Sequence, residues 1–166
     1  MLTVALTVAT LLAAQVAPTA VTDSVARRAA PAVVADIPSA ADHLESARRA
    51  LVKGEFDVAR REFVIAAALD RDDGKLPIEA AFGLANVLYS SSFNREAAIT
   101  MDRLADDALA VSDHNTEARA LVDAIWLNMD AGQRNQARSD ALRLSELIKE
   151  GKLSEYTLKM IRARYR

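Results

Sequence analysis

A glycine followed by small and aromatic residues at helical spacing, repeated twice further along, limits what this chain can become. In Gly54-Glu55-Phe56-Asp57-Val58-Ala59-Arg60-Arg61-Glu62-Phe63-Val64-Ile65-Ala66-Ala67-Ala68-Leu69, Gly54 closes one helical pattern, and Phe56, Ala59, Phe63 and Ala66 then line one face of the next. This predicts the turn and second helix of a helical hairpin. Ala59 has counterparts in Ala97, after Ser92-Phe93-Asn94, and in Ala137, after Gly132-Gln133-Arg134, at spacings of 38 and 40 residues. A period near 40 implies a helical repeat, in which no unit buries its apolar face alone and stacked neighbours share a core.

Composition agrees with that architecture. In 166 residues, 51% are hydrophobic, enough for a core, while aromatics are only 5% and Gly and Pro number five and four. The abundance of alanine favours helices packed through small side chains, and the expected class is all-α. A formal charge of −2 supplies no basic field, so nucleic acid is not an expected partner. With no cysteine, disulfides, thiolate zinc sites, a cysteine nucleophile and a lipidated cysteine are all excluded.

Residues 2–22 carry no charge, and an apolar run over 2–14 ends in Ala17-Pro18-Thr19-Ala20. Residues 1–22 read as a signal peptide, which places the protein in the periplasm or makes it secreted. About 20 apolar residues also suffice for an uncleaved membrane anchor, with membrane contact through residues 2–22 and the domain outside the cytoplasm. Residues 23–38, interrupted by Pro31 and Pro38, read as a flexible linker, and 39–166 as the helical repeat domain.

Ser39 and Asp42 match a capping box, so the first helix is expected from there to about Lys53, with Ala40, Leu44, Ala47 and Leu51 inward. Further helices are expected over 56–69, 76–90, 94–110, 115–130 and 134–149. The last of these is read with Ala137, Ala141, Leu144 and Ile148 inward. A seventh, capped by Ser154 and running to about Tyr165, has Tyr156, Met160 and Ile161 as a narrow stripe, the form of a terminal cap.

Signals for chemistry are sparse. His43 lies near Asp42 and Glu45, and His114 near Asp113 and Glu117, but the two groups belong to separate hairpins, and a metal needs converging ligands. Asp70-Arg71-Asp72-Asp73-Gly74 hints at a calcium loop, yet its glycine comes one residue early and no glutamate stands at the twelfth place. The sequence contains no glycine-rich phosphate loop, nucleophile elbow or HExxH. Neither a cofactor nor a metal is expected, and the chain reads as non-enzymatic. Charge is uneven: 96–130 has eight carboxylates against Arg103 and Arg119, whereas Lys152, Lys159, Arg162, Arg164 and Arg166 face only Glu155 in the tail. That asymmetry fits a solvated cap helix, self-association or docking to anionic lipid.

Over residues 40–150 the chain resembles the tetratricopeptide repeat family. Gly54, Phe56, Ala59, Phe63 and Ala66 stand in the order and spacing of that family's signature, with Ala47 at the small site of its first helix. Leu84, Ala85, Ala97, Met101 and Leu104 fit in the second hairpin, where Ser92 replaces the turn glycine. Gly132, Ala137 and Leu144 fit in the third. The resemblance implies a right-handed superhelix of αα-hairpins with a C-terminal capping helix, and a concave groove that binds a protein or peptide partner. By register it places Leu44, Arg48 and Leu51, then Phe82, Asn86 and Tyr89, then Arg119, Val122, Trp126 and Met129 toward that groove. The family's dicarboxylate clamp is absent, with Leu44 and Phe82 at two of its key places. Aromatic area with Asn and Arg suits an extended peptide. Packing of Tyr89 and Trp126 between repeats is the other reading, and a structural subunit, membrane-tethered and oligomerising through its stack ends, is the other function. The oligomeric state stays open.

Overall fold

A computed structural model describes residues 37–165; residues 1–36, which hold the expected leader and nearly all of the expected linker, and Arg166 lie outside the described residues. Seven helices follow in order: α1 (Ala40–Val52), α2 (Phe56–Asp72), α3 (Ile78–Ser90), α4 (Asn94–Ala110), α5 (His114–Asp130), α6 (Arg134–Lys149) and α7 (Glu155–Arg164). Each of α1 to α5 packs on the next helix, and α7 returns onto α5, so the described residues form an all-α helical repeat.

Local chemistry sets the boundaries. Ser39 N–H donates to Asp42 Oδ2 at 2.8 Å and Asp42 N–H to Ser39 Oγ at 3.3 Å, closing the capping box that starts α1. The helix ends share one device. Gly54, Ser92 and Gly132 turn the chain within hairpins at φ of 76, 65 and 74°, and Gly74, Ser112 and Gly151 do so between units at 71, 60 and 67°. In each hairpin turn the next N–H reaches back to a carbonyl five residues earlier: Glu55 to Ala50, Phe93 to Leu88 and Gln133 to Asn128. This is a left-handed C-cap that satisfies carbonyls orphaned at the helix end. Serine fills it twice where glycine fills it four times. Two ends differ from expectation. α2 continues to Asp72, and α3 starts only at Ile78, because Pro77 precedes the helix as its cap residue.

The register alanines Ala59, Ala97 and Ala137 are buried at 0, 0 and 3% exposure. In the first hairpin Phe63 packs among Ala47, Ala50, Ala59 and Val87. Its ring lies against Gly83 of α3, where a Cβ would overlap it. Phe56, expected inward, is 41% exposed. From α3 onward one larger cluster continues to α7 through Met101, Leu104, Leu121, Leu144 and Ile161.

The inward face of α6 is rotated from the expected one. Ala137, Asp140, Leu144 and Leu147 are buried, whereas Ala141 and Ile148 are exposed at a shallow cleft shared with Tyr165. The reason lies in α5. Asn128, wholly buried, donates from Nδ2 to Asp140 Oδ2 at 2.9 Å and to Asp102 Oδ2 of α4 at 3.3 Å, and Gln136 Nε2 donates to Asp140 Oδ1 at 2.9 Å. These donors make a buried carboxylate tolerable. Burial pushes the Asp102 carboxyl up to about 6, with the Asp140 charge adding and the Asn128 hydrogen bond opposing. Burial raises Asp140 as well, against the hydrogen bonds from Asn128 and Gln136. In α7 the inward residues are Thr157 and Ile161, while Tyr156 is 75% exposed. Asn115 Oδ1 accepts from Ser154 N–H at 2.8 Å and from Thr157 Oγ1 at 2.9 Å, tying the start of α7 to the start of α5.

Candidate binding cleft

Helical spacing assembles a cleft along the odd-numbered helices. Phe82, Asn86 and Tyr89 lie one turn apart on α3, and Arg119, Asp123 and Trp126 do the same on α5. Three adjoining cavities run between them, of about 250, 440 and 450 Å³, and Phe82 lines all three. The first lies among Asn86, Tyr89, Asp123, Trp126 and Arg164. The second extends past Arg119 and Asp123 to Met160 and Ala163 of α7. The third reaches Arg48 of α1 and Gly83.

In the first cavity the Tyr89 and Trp126 rings meet with centroids 4.7 Å apart at 57°, and they stay 38 and 41% exposed. They thus pack on each other between the second and third hairpins while both keep an exposed face. The Arg119 guanidinium lies 5.1 Å from the Phe82 ring centre and that of Arg164 5.7 Å from Trp126, both within cation–π range. Asn86 is exposed and its amide makes no hydrogen bond among the described residues, so it is free to meet a ligand's backbone. Burial holds the Asp123 carboxyl above the usual range, with Arg164 and then Arg119 pulling it back.

The structure brings Phe82, Asn86, Tyr89, Arg119 and Trp126 together at this cleft. Arg48 borders it, engaged by Glu79 of α3, with Nε 2.9 Å from Oε1. Val122 departs from its expected role: at 3% exposure it belongs to the core and forms only the floor of one cavity, because its side chain packs into the shared apolar cluster. Met129 is 53% exposed and lines none of the three cavities. Asp123 and Arg164 are cleft residues that sequence reading did not single out. The face shared by Arg119, Asp123 and Trp126 was a readable signal for Asp123, but nothing local places Arg164 beside Trp126. Among the described residues, no three His, Asp or Glu side chains gather where they could hold a metal ion, and no helix is long and apolar enough to cross a membrane.

The fold and cleft define a class, an all-α helical repeat with a channelled face lined by aromatic, amide and charged side chains. Compared with protein-family models, curated proteins and solved structures, the chain returns no match.

Proposed function

We propose that this chain is a non-enzymatic adaptor, tetratricopeptide-like in its repeat register, that holds an extended segment of a protein or peptide partner in the cleft. The leader-like residues 1–22 favour work outside the cytoplasm, in the periplasm or secreted. The observation that carries the reading is the Tyr89–Trp126 pair. Two large aromatic rings remain more than a third exposed, tilted against each other, in one of the cavities that share Phe82. Aromatic anchors flanked by a free amide and guanidinium groups supply contact area with orientation, as peptide recognition requires.

A displayed random-peptide library panned on the full chain tests this. Trp126 is the only tryptophan, so binding of the selected peptides is followed directly by its fluorescence. Tyr89→Ala should weaken such peptides by about 2 kcal/mol, the loss typical of an interface anchor, while the melting temperature falls less than for a core truncation. Selected peptides that bind the Tyr89→Ala and Phe82→Ala chains as well as the native one would refute the cleft as the site.

A further inference from the structure

Among the described residues four arginines reach from one helix to a carboxylate on another, Arg48, Arg71, Arg143 and Arg164, and the last differs sharply from the rest. Arg143 of α6 is seated: Nε is 2.7 Å from Glu117 Oε1, Nη1 is 2.7 Å from Asp106 Oδ1 and Nη2 donates to Ala105 O at 2.9 Å. Arg164 of α7 is not. Its Nη2 stops 3.7 Å from Asp123 Oδ1, beyond hydrogen-bond distance, and its guanidinium lies near the outer limit of cation–π range over Trp126. Asp123 in turn receives no hydrogen bond among the described residues, although its side chain is only 37% exposed. A half-buried carboxylate beside two aromatic rings, with a cation resting loosely over it, is a site for a cation that the chain's own arginine fills incompletely.

Charge and anchoring point the same way. Of the eight carboxylates in 96–130 only Asp123 lines the cavities, and the segment resting beside it, α7, is basic. α7 is held by its bonds to Asn115 and by buried Leu153, Thr157 and Ile161, and it meets the cleft through Met160, Ala163 and Arg164. Phe82, the third aromatic of the cleft, also faces a guanidinium, that of Arg119. A partner's acidic side chain placed here would meet the Asp123 carboxylate.

We infer that the Tyr89–Trp126–Asp123 cavity takes an arginine or lysine side chain of the partner segment, and that Arg164 is an internal stand-in which the partner displaces. This rests on the cleft being a peptide site. Arg164 lowers the affinity of the native chain by competing for the same carboxylate and ring, and its removal opens the cavity.

The test is to pan one displayed random-peptide library on the full chain and on its Arg164→Ala and Asp123→Asn variants, then synthesise the selected peptides with arginine or with citrulline, its uncharged isostere. Arginine or lysine should be enriched, and citrulline should cost about tenfold in affinity. Arg164→Ala should bind about tenfold tighter than the native chain, and Asp123→Asn should shrink the difference between arginine and citrulline to what the rings alone supply. Both variants lie at partly exposed positions, and unchanged thermal melts establish that they are folded. Enrichment in aspartate or glutamate, or equal or weaker binding by Arg164→Ala, overturns the inference while leaving the cleft as a peptide site. Selected peptides indifferent to Tyr89→Ala, or none at all, overturn both.

Discussion

The first and third hairpins share a backbone register and differ in what they bury at it. Ala50, Leu88 and Asn128 each stand four residues before the left-handed turn residue of their hairpin and are all buried. The first hairpin surrounds Ala50 with Ala47, Ala59, Phe63 and Val87. The third surrounds Asn128 with carboxylates from α4 and α6. One register position thus accepts an apolar or a polar side chain, provided that the packed helices supply matching partners. The first neck is held by burial, which is indifferent to pH, and the third by hydrogen bonds to groups that titrate.

The largest test of this contrast is Phe63→Ala, which opens a cavity in the first neck and should cost about 3–5 kcal/mol at any pH where the chain folds. Urea midpoints at pH 4.5 and 7 should fall equally. Asn128→Leu copies the second hairpin's residue into the third and removes the donor shared by Asp102 and Asp140. At pH 7 the loss should be about 2 kcal/mol, and it should shrink at pH 4.5, where Asp102 holds its proton. An equal loss at both pH values would mean that Asn128 acts by shape alone.

The carboxyls themselves give a smaller and more specific effect. Both sit above their ordinary value in the folded chain, Asp102 at about 6, so the folded state keeps protons that the unfolded state releases. The Asp102 contribution is fully present below the unfolded value of about 3.9 and is lost as pH rises through about 6, and that of Asp140 is lost in the same direction. Midpoints of the native chain should therefore carry a downward component across that window, and Asp102→Asn should flatten it. An undiminished slope in Asp102→Asn would place its source elsewhere. Smallest is Ser92→Gly. A serine at φ 65° is strained where Gly54 and Gly132 are not, and relief should raise stability by about 0.5–1 kcal/mol. A neutral or destabilising result would show that the serine side chain compensates the strain.

Much of the fold was legible because its signals are local. The Ser39–Asp42 box, the left-handed turn residues and the 3.6-residue period located all seven helices, most ends to within a residue or two. The α6 face was misread for an equally definite reason. Residues 137, 141, 144 and 148 and residues 137, 140, 144 and 147 are both helical stripes, and hydrophobicity alone selects the first. Asn128, 12 residues earlier, makes the second preferable by giving Asp140 a buried donor beside that of Gln136.

The cleft divides along the same line. The places of Phe82, Asn86 and Tyr89 on one helix and of Arg119 and Trp126 on another follow from sequence, since periodicity fixes which residues of a helix share a face. That Tyr89 meets Trp126, that Val122 sinks into the core and that Arg164 arrives from the final helix were decided by tertiary packing. These outcomes depend on how far each helix rotates and slides against its neighbours, and that is set by the summed fit of side chains distant in the sequence, such as the Phe63 ring against Gly83.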